Sequence, residues 1–291
     1  MLWILSVESD YLVRSDFSVE KIRRNERMSA MMKILSDAPN RIFTLSYFCD
    51  LFGAAKSTMS EDIDILRDVV KQFGLGELET VTGAAGGVRY RCGVTRESAR
   101  SFISGLCDSL SGTERVLPGG FLYYSDILST PDIVRRMGDI LATEYTAAAP
   151  DFVLTMETKG IPVAFSTATS LGVPLVIARR SSKVYEGPAV NINYVSGSKG
   201  SIETMSLSRR AVREGQRALI VDDFLKGGGT AKGMCDLMHE FGVTVVGMGF
   251  VMATSAPEKK RVAGEKSLMI LDISHDEPET ATVTPAPWLL G

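Results

Sequence analysis

The chain has 291 residues, of which 45% are hydrophobic and 23% charged, and its formal net charge is −3 at pH 7. This composition is typical of a globular protein with a sizeable core, and the length fits one large domain or two modest ones. A slightly acidic chain excludes a uniformly basic surface, so any contact with nucleic acid must depend on a local cluster of basic residues.

The four cysteines and two histidines are scattered along the sequence. The cysteines lack C-x-x-C spacing, so we expect reduced thiols, no metal site and no histidine-based catalytic centre. No apolar run approaches the roughly 18 residues of a membrane helix, and the opening segment lacks the features of a signal peptide. The sequence therefore predicts a cytoplasmic protein.

Residues 1–18 show no helical or strand period, and we expect a disordered extension there. Residues 19–93 follow a different pattern, which predicts three short helices and a β-hairpin with a glycine-rich tip, TVTGAAGGVRY. This order is typical of a winged helix-turn-helix domain. A small helical cap or dimerisation subdomain is the alternative that the pattern leaves open.

Turn and cap residues divide these helices. Thr44 or Ser46 is the predicted start of the second helix and Gly53 its end, while Ser57 or Ser60 is the predicted cap of the third.

The placement of polar and basic residues favours DNA binding, although basic and acidic residues are nearly equal in number in this region. A recognition helix contacts base edges near its N-terminal end, and a wing contacts phosphates. The candidate DNA-binding residues lie before and in the first helix, at the start of the third helix and on the hairpin: Arg23, Arg24, Arg27, Lys56, Ser57, Thr58, Ser60, Gly86, Gly87 and Arg89.

From residue 94 to residue 291 predicted helices alternate with apolar strands. The helices cover residues 96–110 and 131–147, and the strands are FVLTM, PLVIA, RALIV and VTVVGMGFVM. Strands separated by helices predict an α/β domain with a mostly parallel sheet. Residues 179–208 interrupt this pattern, which indicates a long hairpin or excursion inserted in the domain.

The stretch VDDFLKGGGT is the strongest chemical signal in the chain. Asp222 and Asp223 follow a buried strand, at the sheet edge where open α/β folds bind ligands. The glycines before Thr230 allow close backbone approach, and a helix N-terminus there favours phosphate. The spacing is not that of a P-loop. The two carboxylates suit sugar hydroxyls or a metal ion, and a simple polar turn is the remaining alternative.

This loop is similar to the ribose-phosphate loop of type I phosphoribosyltransferases, whose substrate is 5-phosphoribosyl 1-pyrophosphate (PRPP). The resemblance implies that Asp222 and Asp223 hold ribose hydroxyls while the residues from Lys226 to Thr230 bind the 5′-phosphate. The segment FVLTMETKGIPVA resembles the pyrophosphate loop of the same family, with Lys159 and Gly160 at its centre. Magnesium is expected to bridge the ligand.

The chain as a whole resembles the family of bacterial purine operon repressors, which join a winged-helix domain to a phosphoribosyltransferase-like domain. The segments that carry this are the predicted wing, LPGGFLYYSDIL, TKGIP, KVYEG, INYVSGS, ETMSL and VDDFLKGGGT. The resemblance implies a non-enzymatic repressor that binds operator DNA as a homodimer and is released by PRPP. The ligand site implied by it consists of Phe121, Glu157, Thr158, Lys159, Gly160, Arg179, Lys183, Ser198, Asp222, Asp223, Phe224, Lys226, Gly227, Gly228, Gly229 and Thr230.

Two of these positions depart from the family pattern. Phe121 stands where a tyrosine is usual, which removes a hydroxyl from the site. Glu157 stands where a small residue is expected, and a carboxylate beside a diphosphate is unfavourable unless it faces magnesium or solvent.

An active purine phosphoribosyltransferase with an accessory N-terminal domain is the alternative function, because both functions require PRPP binding through the same loop. Transfer also requires a site for the nucleobase, and no convincing set of base-binding residues is recognisable. For a repressor, a basic surface on the second domain would help to hold DNA phosphates, and PRPP bound to that surface would compete with the DNA. Its candidate residues are Arg179, Arg180, Lys183, Lys199 and Lys226.

Overall fold

The computed structural model describes residues 22–83, 86–182, 187–196, 200–274 and 278–291. The predicted extension, residues 1–18, and the predicted site residues Lys183 and Ser198 lie outside these ranges. The chain divides into two compact units, Met1–Cys92 and Gly93–Gly291.

The described part of the N-terminal unit contains three helices and a hairpin. The helices are α1 (Arg24–Asp37), α2 (Leu45–Phe52) and α3 (Lys56–Gln72). The antiparallel hairpin consists of β1 (Glu77–Val81) and β2 (Gly87–Arg91), with the glycine-rich segment at its tip. Phe43 pairs with Val88 of β2 through two backbone hydrogen bonds, of 2.9 and 2.8 Å. This third extended segment beside the hairpin completes the winged-helix arrangement.

The ends of α2 follow from its cap residues, whereas the predicted cap of α3 is wrong. The Thr44 hydroxyl accepts a hydrogen bond from the first turn of α2, and Gly53 ends the helix in the left-handed region with φ of 60°. The N-cap of α3 is Ala55, which has no side-chain acceptor. Ser57 and Ser60 lie inside the helix, so their hydroxyls do not cap it.

The C-terminal unit alternates helices and strands. Its helices are α4 (Arg96–Leu110), α5 (Ser125–Ser129), α6 (Pro131–Tyr145), α7 (Ile161–Leu171) and α8 (Gly229–Glu240). Its strands are β3 (Val116–Leu117), β4 (Phe121–Leu122), β5 (Phe152–Met156), β6 (Leu175–Ala178), β7 (Ala189–Val195), β8 (Ile202–Ser208), β9 (Arg217–Leu225), β10 (Thr244–Thr254), β11 (Lys266–Ser274) and β12 (Thr280–Pro285).

Six of these strands form the central sheet in the order β12-β11-β10-β9-β5-β6. All neighbours are parallel except β12, which pairs antiparallel with β11. The prediction of an α/β unit with a mostly parallel sheet is therefore confirmed. In its described part, the inserted segment forms the antiparallel pair β7–β8, in agreement with the prediction of a long hairpin or excursion.

The sheet separates two hydrophobic clusters. One joins α4, α5, α6 and α7 to the sheet, and the other joins α8 and the hairpin β7–β8 to it. An isolated β-bridge connects the segment after α4 with strand β12 near the end of the unit. Gly112 and Ala281 exchange backbone hydrogen bonds of 2.8 and 3.0 Å. In the part of the chain that the structure describes, no helix is long and apolar enough to span a membrane.

Candidate ligand pocket and nucleic-acid interface

Strand β9 carries the acid pair to the carboxyl edge of the sheet. The sequence predicted that the strand ends at Val221, but β9 continues through both aspartates to Leu225. Successive side chains of a strand point to opposite faces. This alternation explains why Asp222 is buried whereas its neighbour Asp223 is partly exposed.

A glycine turn then leads from β9 into α8. Gly228 is the N-cap of α8 and has a left-handed φ of 77°. A Cβ atom on Gly228 would lie 3.1 Å from the backbone nitrogen of Arg261, which itself donates a hydrogen bond of 3.1 Å to the Gly227 carbonyl. Both the turn and the neighbouring chain therefore favour glycine here. The first turn of α8 presents backbone N–H groups that have no partner within the helix, which suits an anion.

The turn, the end of β9 and the loop after β5 line one pocket. Its lining residues are Met156, Glu157, Thr158, Lys159, Arg180, Tyr194, Ser196, Glu203, Asp222, Asp223, Phe224, Leu225, Lys226, Gly227, Gly228, Gly229, Thr230 and Ala231. The structure thus brings together eleven of the sixteen residues predicted for the ligand site. Each wall follows from topology, because β5 and β9 are adjacent parallel strands whose carboxyl ends meet at one edge.

Burial governs the chemistry of Asp222. Its carboxylate Oδ1 accepts a hydrogen bond of 3.0 Å from the backbone N–H of Asp223. Burial, and then the adjacent charge of Asp223, raise the pKa of Asp222 well above its usual range. Gly160 packs directly against this carboxylate, since a Cβ atom there would lie 1.9 Å from Asp222 Oδ1. Gly160 therefore belongs to the site by packing rather than by lining the pocket.

Asp223 is held by a tyrosine that the sequence did not reveal. The Tyr124 hydroxyl donates a hydrogen bond of 2.6 Å to Asp223 Oδ2. Burial and the charge of Asp223 raise the pKa of this tyrosine. The Lys159 ammonium lies 5.1 Å from the centre of the Tyr124 ring, and the Phe224 ring stacks at a centroid distance of 6.0 Å. Tyr124 thus contacts both Lys159, in the loop after β5, and Asp223 of the acid pair.

The Glu157 side chain contacts Arg179 and Arg180, which directly follow the neighbouring strand β6. Its Oε1 accepts a hydrogen bond of 2.8 Å from the backbone N–H of Arg180, and its Oε2 lies 3.6 Å from Arg179 Nη1. The peptide bond between Glu157 and Thr158 is cis. The carboxylate that is unfavourable beside a diphosphate is therefore compensated by arginine groups of the protein itself.

The hairpin β7–β8 supplies the opposite wall. Tyr194 donates a hydrogen bond of 2.9 Å to Glu203, and Arg180 Nη1 lies 3.4 Å from the same carboxylate. Burial and the bond to Glu203 raise the pKa of Tyr194 to about 12. These three residues were not predicted as ligand contacts. The ETMSL segment was quoted for the resemblance, but only the pairing of β7 with β8 places Tyr194 beside Glu203.

Two predicted site residues lie away from the pocket wall. Phe121 is 65% exposed, pairs with Leu117 across the short β3–β4 hairpin and is not among the lining residues. Arg179 does not line the pocket, and its Nη1 lies 3.6 Å from the carboxylate of Glu157, which does. The arginine that lines the pocket is Arg180. Arg179, which precedes it, forms a β-bridge with Ser206.

The second candidate surface lies in the N-terminal unit, beside the start of α3. Lys56, Ser57 and Ser60 are exposed there, and Thr58 is partly exposed. A groove separates this end of α3 from the hairpin and is lined by Thr44, Leu45, Ser46, Lys56, Ser60, Ile63, Asp64, Arg67, Thr80, Val81, Thr82, Gly83, Gly86, Gly87 and Val88. The predicted polar residues therefore lie at the N-terminal end of α3, where they are exposed or partly exposed.

The predicted arginines of this unit are mostly engaged within it. Arg27 is buried and its Nε donates a hydrogen bond of 2.6 Å to Asp62. Arg24 bonds the other oxygen of the same buried carboxylate at 2.8 Å. We therefore correct the assignment of Arg27 to DNA contact: its guanidinium neutralises Asp62 inside the fold. Arg23, at the N-cap of α1, is exposed.

The two arginines of the wing share one carboxylate. Arg89 and Arg91 converge on Glu79, with Nε-to-carboxylate distances of 2.7 and 3.0 Å. The bond from Arg89 is the main reason that the pKa of Glu79 is lowered. The cluster of two guanidinium groups and one carboxylate keeps a net positive charge on the wing, although the Arg89 side chain is tied to Glu79.

The two glycines assigned to the wing have structural reasons to be there. A Cβ atom on Gly87 would lie 2.1 Å from the carbonyl oxygen of Phe43, and one on Gly86 would lie 2.6 Å from that of Val81. Both are fixed by close backbone packing at the hairpin tip, which is independent of any DNA contact.

Comparison with known proteins agrees with this division into two units. Residues 23–92 match the family described as bacterial purine repressor, N-terminal, and residues 123–281 match the phosphoribosyl transferase domain. The chain is 41% identical over 251 residues to the purine biosynthesis transcriptional repressor PurR of Bacillus subtilis (strain 168), covering 86% of this chain and 88% of that protein. The chain belongs to the bacterial purine repressor family. The resemblance seen in the sequence is thereby confirmed.

Members of the purine repressor family do not all bear the same description. A relative from Lactococcus lactis subsp. lactis (strain IL1403), 40% identical over 86% of this chain and 93% of that protein, is named a purine biosynthesis transcriptional activator. The xanthine phosphoribosyltransferase of Deinococcus deserti is 33% identical over 50% of this chain and 78% of that enzyme. Family membership thus identifies a regulator of purine biosynthesis built partly on a transferase domain.

Proposed function

We propose that this protein represses purine biosynthesis genes by binding operator DNA through its N-terminal unit, and that PRPP in the pocket of the C-terminal unit releases the DNA. The proposal rests on two features found in one chain of this family. An acid pair and a helix N-terminus line a pocket, and the N-terminal end of α3 is polar and exposed. Each matches what one half of the function requires.

The pocket suits a phosphorylated sugar. Asp222 and Asp223 supply acceptors for sugar hydroxyls, and the turn from Gly227 to the start of α8 supplies backbone donors for the 5′-phosphate. Thr158 and Lys159 lie on the opposite wall, where they would meet the diphosphate. Carboxylate oxygens beside a polyanion fit Mg²⁺, which would neutralise ligand charge there.

DNA binding is assigned to the exposed end of α3. Lys56, Ser57, Thr58 and Ser60 would meet base edges and phosphates in the major groove, with the groove beside the hairpin facing the DNA backbone. A homodimer, which the resemblance implies, would present two copies of α3 to a two-fold symmetric operator.

Release follows from linkage between the two ligands. If PRPP binds the free protein more tightly than the DNA complex, it weakens DNA binding by the same factor, typically about 5–150-fold. PRPP adds several negative charges to a pocket that contains Lys159, Arg180 and Lys226, so it would oppose the attraction of these residues to DNA phosphates.

Fluorescence anisotropy with labelled DNA from a purine operon control region tests the proposal. We expect tight binding that saturating PRPP with Mg²⁺ weakens at least fivefold. The substitution Lys56→Ala should weaken binding about tenfold, whereas Lys71→Ala, at the other end of α3, should have little effect. DNA affinity that PRPP leaves unchanged would contradict the mechanism, and a transcript that falls when the gene is deleted would make the protein an activator.

A purine phosphoribosyltransferase is the second candidate, favoured by the similarity to xanthine phosphoribosyltransferase over half of the chain. It predicts that PRPP is consumed when xanthine, guanine or hypoxanthine is supplied, with release of pyrophosphate. A coupled pyrophosphate assay separates the two functions, because the sensor leaves PRPP intact.

A further inference from the structure

The pocket has an unusual charge distribution for a site that receives a polyanion. Among the residues that the structure describes, four carboxylates line it, those of Glu157, Glu203, Asp222 and Asp223, against the cationic side chains of Lys159, Arg180 and Lys226. The buried position of Asp222 removes it from direct contact with most of the ligand. Glu157 and Glu203 remain on the wall, where their charges oppose an incoming phosphate.

The cationic groups fall into two classes. At the end formed by β6 and the hairpin, carboxylates already hold them: Arg179 and the Arg180 backbone N–H contact Glu157, while the Arg180 side chain contacts Glu203. Among the residues that the structure describes, Lys159 and Lys226 have no carboxylate within 4.0 Å. These two lysines are therefore open to an anion, Lys226 at the 5′-phosphate end and Lys159 in the loop assigned to the diphosphate, whereas the arginines at the diphosphate end are held by the protein's own carboxylates.

Glu157 sits where the two classes meet. It immediately precedes Thr158 and Lys159 in the loop assigned to the diphosphate, and only 22% of its side chain is exposed. Its carboxylate engages an arginine side chain and a backbone N–H, which are the donors that phosphate oxygens also use. A diphosphate that binds this loop must displace Glu157 from these donors or accept its negative charge as a neighbour.

We propose that Glu157 is a built-in competitor for the diphosphate group of the effector and sets the concentration at which the protein responds. The inference rests on the proposed function, because it takes PRPP as the effector. The tethered carboxylate holds the donors while the pocket is empty, so only a high ligand concentration displaces it. The described partners of Glu157 lie at the end of β6 and not in the turn before α8, so we expect binding of the 5′-phosphate to be independent of it.

The test is calorimetric titration of wild-type protein and Glu157→Gln with three ligands in one magnesium buffer. Glutamine keeps the shape and a hydrogen-bond acceptor for the Arg180 N–H but removes the charge. We expect Glu157→Gln to bind PRPP and inorganic diphosphate about tenfold more tightly, because one unit charge within a few ångströms of a polyanion is worth at least that factor. Ribose 5-phosphate, which lacks the diphosphate, should bind both proteins equally.

Controls separate this inference from the proposed function. Glu144→Gln removes a carboxylate that pairs with Lys266 of β11, and neither residue lines the pocket, so this variant should leave all three affinities unchanged. Equal or weaker diphosphate binding by Glu157→Gln overturns the competitor role. If neither protein binds PRPP, the proposed effector fails, whereas the diphosphate titration still decides the role of Glu157. Glu157→Ala should shift affinity in the same direction, and thermal melting checks that each variant is folded.

Discussion

The two units each bury an aspartate, and the surroundings of these two acids differ. Asp62 in α3 is fully buried, and each of its oxygens accepts a hydrogen bond from an arginine of α1, Arg24 or Arg27. Asp222 in β9 is also buried, but its neighbours include the Asp223 backbone, the Asp223 carboxylate, the Thr155 side chain and Gly160. No described arginine or lysine lies within 4.0 Å of it.

The different surroundings of Asp62 and Asp222 distinguish an acid that stabilises the fold from an acid that is placed to bind a ligand. A buried carboxylate with two cationic partners completes its own electrostatics, and it fastens α3 to α1. A buried carboxylate beside a second acid is unfavourable for folding and is retained where a ligand supplies the missing donors. Local sequence does not distinguish the two, because each aspartate has another acid next to it or two positions away.

Removing the paired acid should have the largest effect. Asp62→Asn leaves the buried Arg27 charge without its partner, and we expect about 3–5 kcal/mol of destabilisation confined to the N-terminal unit. Hydrogen–deuterium exchange of peptides from α1 and α3 measures this, with peptides from β9 as an internal control. Unchanged protection in α1 and α3 would show that the ion pair does not fasten these helices.

Crowding the unpaired acid should have an intermediate effect. Gly160→Ala places a Cβ atom 1.9 Å from Asp222 Oδ1, so the loop must shift, at a cost of about 1–3 kcal/mol. PRPP binding should weaken as the loop moves. Gly105→Ala is the matched control, because nothing lies within 4 Å of a Cβ atom there, and it should stabilise α4 by about 0.5–1 kcal/mol. Urea unfolding and calorimetry report both quantities.

Neutralising the unpaired acid should stabilise the ligand-free protein, in contrast to Asp62→Asn. The pKa of Asp222 in the folded state lies well above 3.8, its ordinary value. As the pH rises past that value, the unfolded chain ionises first, so this carboxyl lowers stability increasingly. Asp222→Asn should therefore have a higher urea midpoint than wild type at pH 7, and the difference should vanish below pH 4. If the difference in urea midpoint between Asp222→Asn and wild type instead grew towards low pH, the pKa of Asp222 would be lowered by folding rather than raised.

The smallest effect is expected at the outer member of the Asp62 cluster. The Arg24 side chain is 49% exposed and pairs with both Asp62 and Glu61. Arg24→Ala should cost at most about 1 kcal/mol, because solvent screens the pair and Arg27 still neutralises Asp62. The same exchange experiment measures it. A loss as large as that of Asp62→Asn would mean that Arg24, rather than Arg27, is the essential partner.

Patterns that depend on neighbouring residues were predictable from the sequence. The caps of α2, the hairpin tip and the strand–turn–helix around VDDFLKGGGT follow local rules of glycine, threonine and apolar periodicity. The acids at the end of β9 were placed at the sheet edge for the same reason. The strands β11 and β12 were missed, and β9 was predicted to end at Val221 although it runs through the acid pair.

Contacts between distant segments were not predictable in this way. Tyr124 meets Asp223 across 99 residues of chain, and Arg27 meets Asp62 across 35. A basic residue in the first helix indicates a DNA contact as readily as a buried ion pair, since only packing decides which side faces inward. For the same reason Arg180 lines the pocket although the resemblance pointed to Arg179.

The backbone exchange between Gly112 and Ala281 has a consequence for how such proteins can be assembled. It joins the segment after α4 to the edge strand β12, so the C-terminal unit begins and ends at one side of its sheet. That side lies three strands away from β9, which carries the acid pair. Because the unit is closed in this way, we expect its pocket to keep its framework when a different domain replaces the winged helix in front of α4.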